Sequence, residues 1–114
     1  MSKLDEKVGK YIDELKTKIG DNNPDVDLLR KVTKGLGPSI YRADAETVSA
    51  SSESEMDTVK KNFLMKKLGL KDEAKATEAL NQVMEKYGKS NRNKYRAVIY
   101  YLLTKHFKKE SVYK

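Results

Sequence analysis

The sequence predicts an all-α fold: a single compact domain over residues 1–114, built of four main helices plus one or two short helical turns, with residues 109–114 as a fraying end. Three observations predict it. Apolar residues recur at the 3.6-residue spacing of an amphipathic helix through most of the chain. No stretch of useful length alternates apolar and polar with period two, and β-branched residues are scattered, so no sheet is expected. Glycine or proline stands between most of the periodic runs, where helices must stop.

In the first run Leu4, Val8, Tyr11, Ile12, Leu15 and Ile19 fall within about 100° on a helical wheel, and Gly20 follows as a terminating residue. Asn23 and Pro24 read as an N-cap followed by a proline at the first helical position. The stripe Val26, Leu29, Val32 then carries a second, shorter helix towards Gly35. Gly35, Gly37 and Pro38 break the pattern into a tight bend in which Pro38 can open a helical turn, and Asp44 is placed to cap another turn through Val48. Ser49–Ser54 suits a loop.

From about Glu53 to Leu68 the chain reads as helix again. Met56, Val59 and Phe63 share one face, whereas Leu64, Met65 and Leu68 spread around the cylinder, which marks this helix as central or as a dimer interface. Gly69 ends it. Asp72 starts the next, whose stripe of Ala76, Leu80, Val83, Met84 and Tyr87 stops at Gly88. A last helix is expected from Ser90 or Asn91 to about Lys108, with Tyr95, Val98, Ile99, Leu102, Leu103 and His106 on its apolar side.

Composition excludes several classes of chemistry. With no Cys there is no disulfide framework, thiol nucleophile or thiolate metal site, which fits a reducing compartment. The N-terminal Met1-Ser2-Lys3-Leu4-Asp5-Glu6 has no apolar signal region and no stretch approaches a membrane span, so a cytoplasmic address and no membrane partner are expected. Residues 1–58 carry 9 Lys and Arg against 12 Asp and Glu, while residues 59–114 carry 15 against 5. The net charge of +7 is therefore a property of the C-terminal half. Most of the 24 basic residues are Lys, the more strongly hydrated type.

Motif matches fail on inspection. Gly88-Lys89-Ser90 ends like a phosphate-binding loop, but residue 83, where that motif needs glycine, is a valine within a helical run. Asp21 to Asp25 opens like a calcium loop, yet Val26 and Val32 occupy its glycine and glutamate positions. The single histidine, His106, reads as a partly buried residue near a helix C-terminus. Asp44 with Glu46, and Glu53, Glu55 and Asp57, read as acids compensating helix N-termini. No catalytic residue, metal site or cofactor is expected.

Two places have the chemistry to bind a ligand. Lys89, Ser90, Asn91, Arg92, Asn93 and Lys94 open the last helix with a concentration of donors suited to an anion, or to base edges if this is a helix-turn-helix. Further along, Lys94, Tyr101, Lys105 and Lys108 share one side of that helix, an array in which lysines follow a phosphate backbone while the ring stacks on a base. Arg96, on the other side, is expected to be half-buried with a carboxylate partner from the acidic N-terminal half. The second place is the bend, where Gly37, Ser39, Tyr41 and Arg42 combine backbone donors, hydroxyls and a guanidinium that would hold a small ligand.

Gly37-Pro38-Ser39-Ile40-Tyr41, the run Thr58 to Leu64 with Lys66 to Leu70, and Tyr87 to Val98 with Tyr100 to Leu103 and Lys105 to Phe107 together resemble a family of small bacterial proteins known only as a domain of unknown function. The resemblance spans nearly the whole chain. It implies a compact helical protein in bacteria and brings no activity, cofactor, partner or catalytic residue. The expected function is accordingly a non-catalytic binding or adaptor domain that engages an acidic or anionic protein or polyanion through its basic C-terminal surface. The alternatives are a nucleic-acid-binding module using residues 89–96 and a small-ligand binder or enzyme at the Gly37–Arg42 bend. The oligomeric state is left open.

Overall fold

The structure is a computed structural model that describes residues 3–42, 46–48, 52–88 and 94–113, and of Pro38 and Ser39 the backbone only. The first apolar stripe forms α1 (Lys3–Glu14), which widens at its end into a π-helical stretch, Leu15–Ile19. Gly20 closes it at φ 84°, a left-handed conformation costly to other residues. Its N–H and that of Asp21 both return to the Leu15 carbonyl. α2 (Val26–Gly35) begins later than expected: Asp25, not Asn23, is the N-cap, because its carboxylate accepts the Leu28 N–H at 3.2 Å. The Asn23 N–H donates instead to Asp21 Oδ1. Arg30 pairs with Asp5 across α1 and α2.

A 3-10 helix, Gly37–Tyr41, follows, and then a two-residue strand, β1 (Thr47–Val48). Asp44 lies outside the described residues, and the turn expected to run through Val48 gives way there to extended chain. β1 pairs antiparallel with β2 (Lys94–Tyr95), Thr47 opposite Tyr95 and Val48 opposite Lys94. No sheet was expected, and two residues are too few to carry a visible alternation. The pairing also moves the start of the last helix, α5 (Arg96–His106), several residues beyond the expected Ser90 or Asn91.

α3 (Glu53–Thr58) is capped by Ser52 and continues as a nine-residue π-helix, Val59–Lys67. This geometry explains the scattered apolar residues of the segment. At about 100° per residue, Val59 and Leu68 fall on opposite sides of an α-helix; at the roughly 4.4 residues per turn of an i→i+5 helix they are two full turns apart and share a face. Val59, Phe63, Leu64 and Leu68 are all buried. Gly69, at φ 74°, ends the segment, with the Leu70 N–H returning to the Leu64 carbonyl at 3.0 Å.

α4 (Glu73–Tyr87) begins at Asp72, whose carboxylate accepts the N–H groups of Ala74 and Lys75 at 3.0 and 3.2 Å. Replacing Asp72 with alanine should therefore cost about 1 kcal/mol in urea unfolding, and Asp72→Asn should recover most of that loss. The chain ends in a 3-10 helix, Glu110–Tyr113, where fraying was expected. Its Tyr113 packs on the core, and Lys67 lies over the ring at 4.7 Å. Lys114 lies outside the described residues.

The interior helix is α5, not the expected α3. It packs against α1, α2 and α4, and Ala97, Val98, Ile99, Tyr100, Tyr101, Leu103 and Thr104 are all buried. The π-helical continuation of α3 packs on α4 and sets Phe63 in a stack on Tyr100, ring centroids 3.9 Å apart. Three interior tyrosines also anchor the connections between helices. Tyr101 Oη accepts the Asp25 N–H at 2.8 Å, Tyr87 Oη accepts the Tyr95 N–H at 3.2 Å, and Tyr11 Oη donates to Glu46 Oε2 at 2.8 Å. Each ring fills core volume while its hydroxyl hydrogen-bonds a backbone or carboxylate group at the core's edge.

Candidate functional site

Where the C-terminal ends of α4 and α5 lie side by side, they leave a groove of about 360 Å³. Helical spacing builds both walls. Gln82, Val83 and Lys86 come from adjacent turns of α4, and Tyr101, Leu102, Lys105 and His106 from adjacent turns of α5. Asp21, just past the end of α1, completes the lining. Val83 and Tyr101 are buried and Leu102 half-buried, giving an apolar floor, while Lys86, Lys105 and His106 are exposed. Both lysines and the histidine sit in last turns, where the helix dipole favours cations. Neither lysine has a carboxylate partner among the described residues.

The groove brings together only some of the residues read from the sequence. Lys89, Ser90, Asn91, Arg92 and Asn93 lie outside the described residues. Lys94 belongs to β2 and is 3% exposed, so it does not join Lys105 and Lys108 on a helical face. Tyr101 is 1% exposed: its ring is core and its hydroxyl is engaged with Asp25, which removes it as a surface for stacking bases. α5 is covered on nearly every side for most of its length. Lys105 and Lys108 are exposed as expected, with Lys108 beyond the helix in a left-handed conformation. Arg96 is half-buried, and its guanidinium donates to Tyr100 Oη at 3.3 Å from a position over that ring.

At the bend, Gly37 and the Ser39 backbone lie in the 3-10 helix, Ile40 turns inward, and Tyr41 and Arg42 are exposed. Tyr41 is thus not packed between helices. His106 is also exposed, a correction to its place on the apolar side. Its ring meets Phe107 edge-on at 4.9 Å. In the sequence nothing sets Lys86 apart from the other polar residues of α4; only the approach of α5 brings a second lysine beside it.

Glu46, taken for a helix-end acid, is a buried carboxylate whose Oε2 accepts from Lys7 Nζ at 2.8 Å, Lys10 Nζ at 3.3 Å and Tyr11 Oη at 2.8 Å. Burial pushes the Glu46 carboxyl up, but the hydrogen bonds from Lys7, Tyr11 and Lys10 outweigh it and hold the group below the usual carboxylate range. Burial and the same carboxylate drive the Tyr11 hydroxyl upward. Lys10 also lies over the Tyr95 ring at 4.4 Å, and that ring packs against Tyr11. The cluster holds Glu46 against α1. A larger groove of about 720 Å³ between α3 and α4, lined by Glu53, Met56, Asp57, Lys60 and Leu80 among others, contains no residue singled out as a ligand site. There Lys60 bridges Asp57 and Glu73.

Fold and site together define a small helical domain with a cation-rimmed groove, and among the described residues no helix is long and apolar enough to cross a membrane. The chain belongs to the family described as Protein of unknown function (DUF2853), which it matches over residues 10–111. Among curated proteins, none matches the chain.

Proposed function

We propose that the protein is a non-catalytic binding or adaptor domain that engages an acidic or anionic partner through the basic surface of its C-terminal half. One observation carries this: Lys86 and Lys105, from different helices, rim the same groove beside His106, and neither forms an ion pair among the described residues. Two like charges at one concave, partly apolar site raise the local potential and favour an approaching anion. The exposed Lys66, Lys71, Lys75 and Lys108 add to the attraction at longer range. The absence of Cys fits a reducing bacterial cytoplasm as the setting.

Titration of the isotope-labelled protein with pyrophosphate, and separately with poly-glutamate, tests the proposal by nuclear magnetic resonance. At low salt the amide signals of residues 82–86 and 102–106 should move. The response should fade as added salt shortens the Debye length from about 30 Å at 0.01 M to about 10 Å at 0.1 M. No response to either polyanion at low salt would defeat the proposal.

A further inference from the structure

We infer that the groove between α4 and α5 seats an acidic segment of a protein partner in which an apolar side chain stands between carboxylates. This rests on the function proposed above and narrows it to one class of anion. The floor of the groove is the first reason. Leu102 is half-buried beside the buried Val83 and Tyr101, so it keeps apolar surface in water between the lysines, and a ligand that brings only charge leaves that surface wet. An apolar side chain removes it from water, while flanking carboxylates meet Lys86 and Lys105.

Asp21 is the second reason. It lines the same groove, and its Oδ1 accepts the Asn23 N–H. A phosphate polymer presents nothing but negative charge to it. A peptide presents backbone N–H donors, which a carboxylate accepts well. The third reason is chemical type: the cations are lysines, point charges without the planar fork that arginine offers to phosphate, and the buried Tyr101 ring supplies no surface for stacking bases.

Fluorescence anisotropy on the full chain at low salt discriminates among the occupants. The probes are a short labelled peptide with one leucine between glutamates, the same peptide with serine in place of leucine, and a labelled single-stranded oligonucleotide. The leucine peptide should bind about tenfold or more tightly than the serine peptide. Its affinity should fall by about tenfold or more in Lys86→Glu/Lys105→Glu and in Leu102→Ser. Circular dichroism melting checks that the variants fold, and Lys86→Ala/Lys105→Ala replaces the charge reversal if that protein does not. Equal binding of the two peptides overturns the inference. So does an oligonucleotide that binds more tightly than the leucine peptide and is released by the lysine substitutions, although the proposed anion-binding function would then stand. Dimerisation in light scattering that Leu102→Ser abolishes, without peptide binding, gives the groove to a second copy and also overturns it. If no probe binds and the polyanions leave the amide signals unmoved, both proposals fall.

Discussion

Replacing Ile99 with alanine should lower the stability of the fold by about 3–4 kcal/mol, a large part of the roughly 5–15 kcal/mol available to a domain of this kind. Ile99 is fully buried on α5, which is enclosed by α1, α2 and α4. Truncation removes the transfer energy of the lost atoms and leaves a cavity whose walls are packed helices with little freedom to collapse. Urea unfolding should show a lower midpoint with an unchanged slope. Leu102→Ala, three residues on and half-buried at the groove, should cost about 1 kcal/mol or less. A comparable loss at both positions would mean that α5 is not the interior helix.

Glu46→Ala should cost about 2–3 kcal/mol, because it leaves the fully buried Tyr11 hydroxyl without its acceptor. The lysines soften the loss. Lys7 and Lys10 side chains are 25% and 42% exposed and can turn to water once the carboxylate is gone. Adding Tyr11→Phe to Glu46→Ala should recover part of the loss, since it deletes the stranded hydroxyl, and the two effects should be less than additive in a double-mutant cycle. The pH dependence follows from the depressed Glu46 carboxyl. A group that titrates lower in the folded than in the unfolded state stabilises the fold fully above its unfolded value, about 4.3 for Glu, and loses that contribution as the pH falls through its folded value. Stability measured from neutral pH down into the acid range should therefore fall less steeply in Glu46→Gln than in the parent chain. Parallel profiles would remove Glu46 as a contributor.

Much of the fold was legible because its signals are local. Gly20, Gly69 and Asp72 do what their positions imply: the two glycines adopt left-handed backbone at helix ends, and the aspartate caps the N–H groups two and three residues ahead of it. The errors arose where the local signal was ambiguous or the period assumed was wrong. The apolar residues of Val59–Leu68 look dispersed on a 3.6-residue wheel and are in register on the wider π-helical turn, so the helix that looked buried all round is one-sided. The polar run before Lys94 looks like the start of a helix, but pairing with Thr47 and Val48 holds residues 94 and 95 extended.

The candidate site was only partly legible. Tyr101 and Lys105 share a side of α5 on the wheel, but in the fold they line a groove with Lys86, which no local pattern in the sequence marks. Glu46 beside Asp44 resembles any pair of helix-end acids, since its partners Lys7, Lys10 and Tyr11 lie 35 to 39 residues away.

By itself the sequence determined the helical class, most of the helix ends and the concentration of positive charge after residue 58, because periodicity, capping and charge count depend on neighbours along the chain. Only the tertiary structure decided that α5 is the interior helix, that Lys94, Tyr101 and Glu46 are buried, and that Lys86 and Lys105 share a groove. Burial and convergence depend on which helices meet and at what rotation, and side chains distant in sequence set that together.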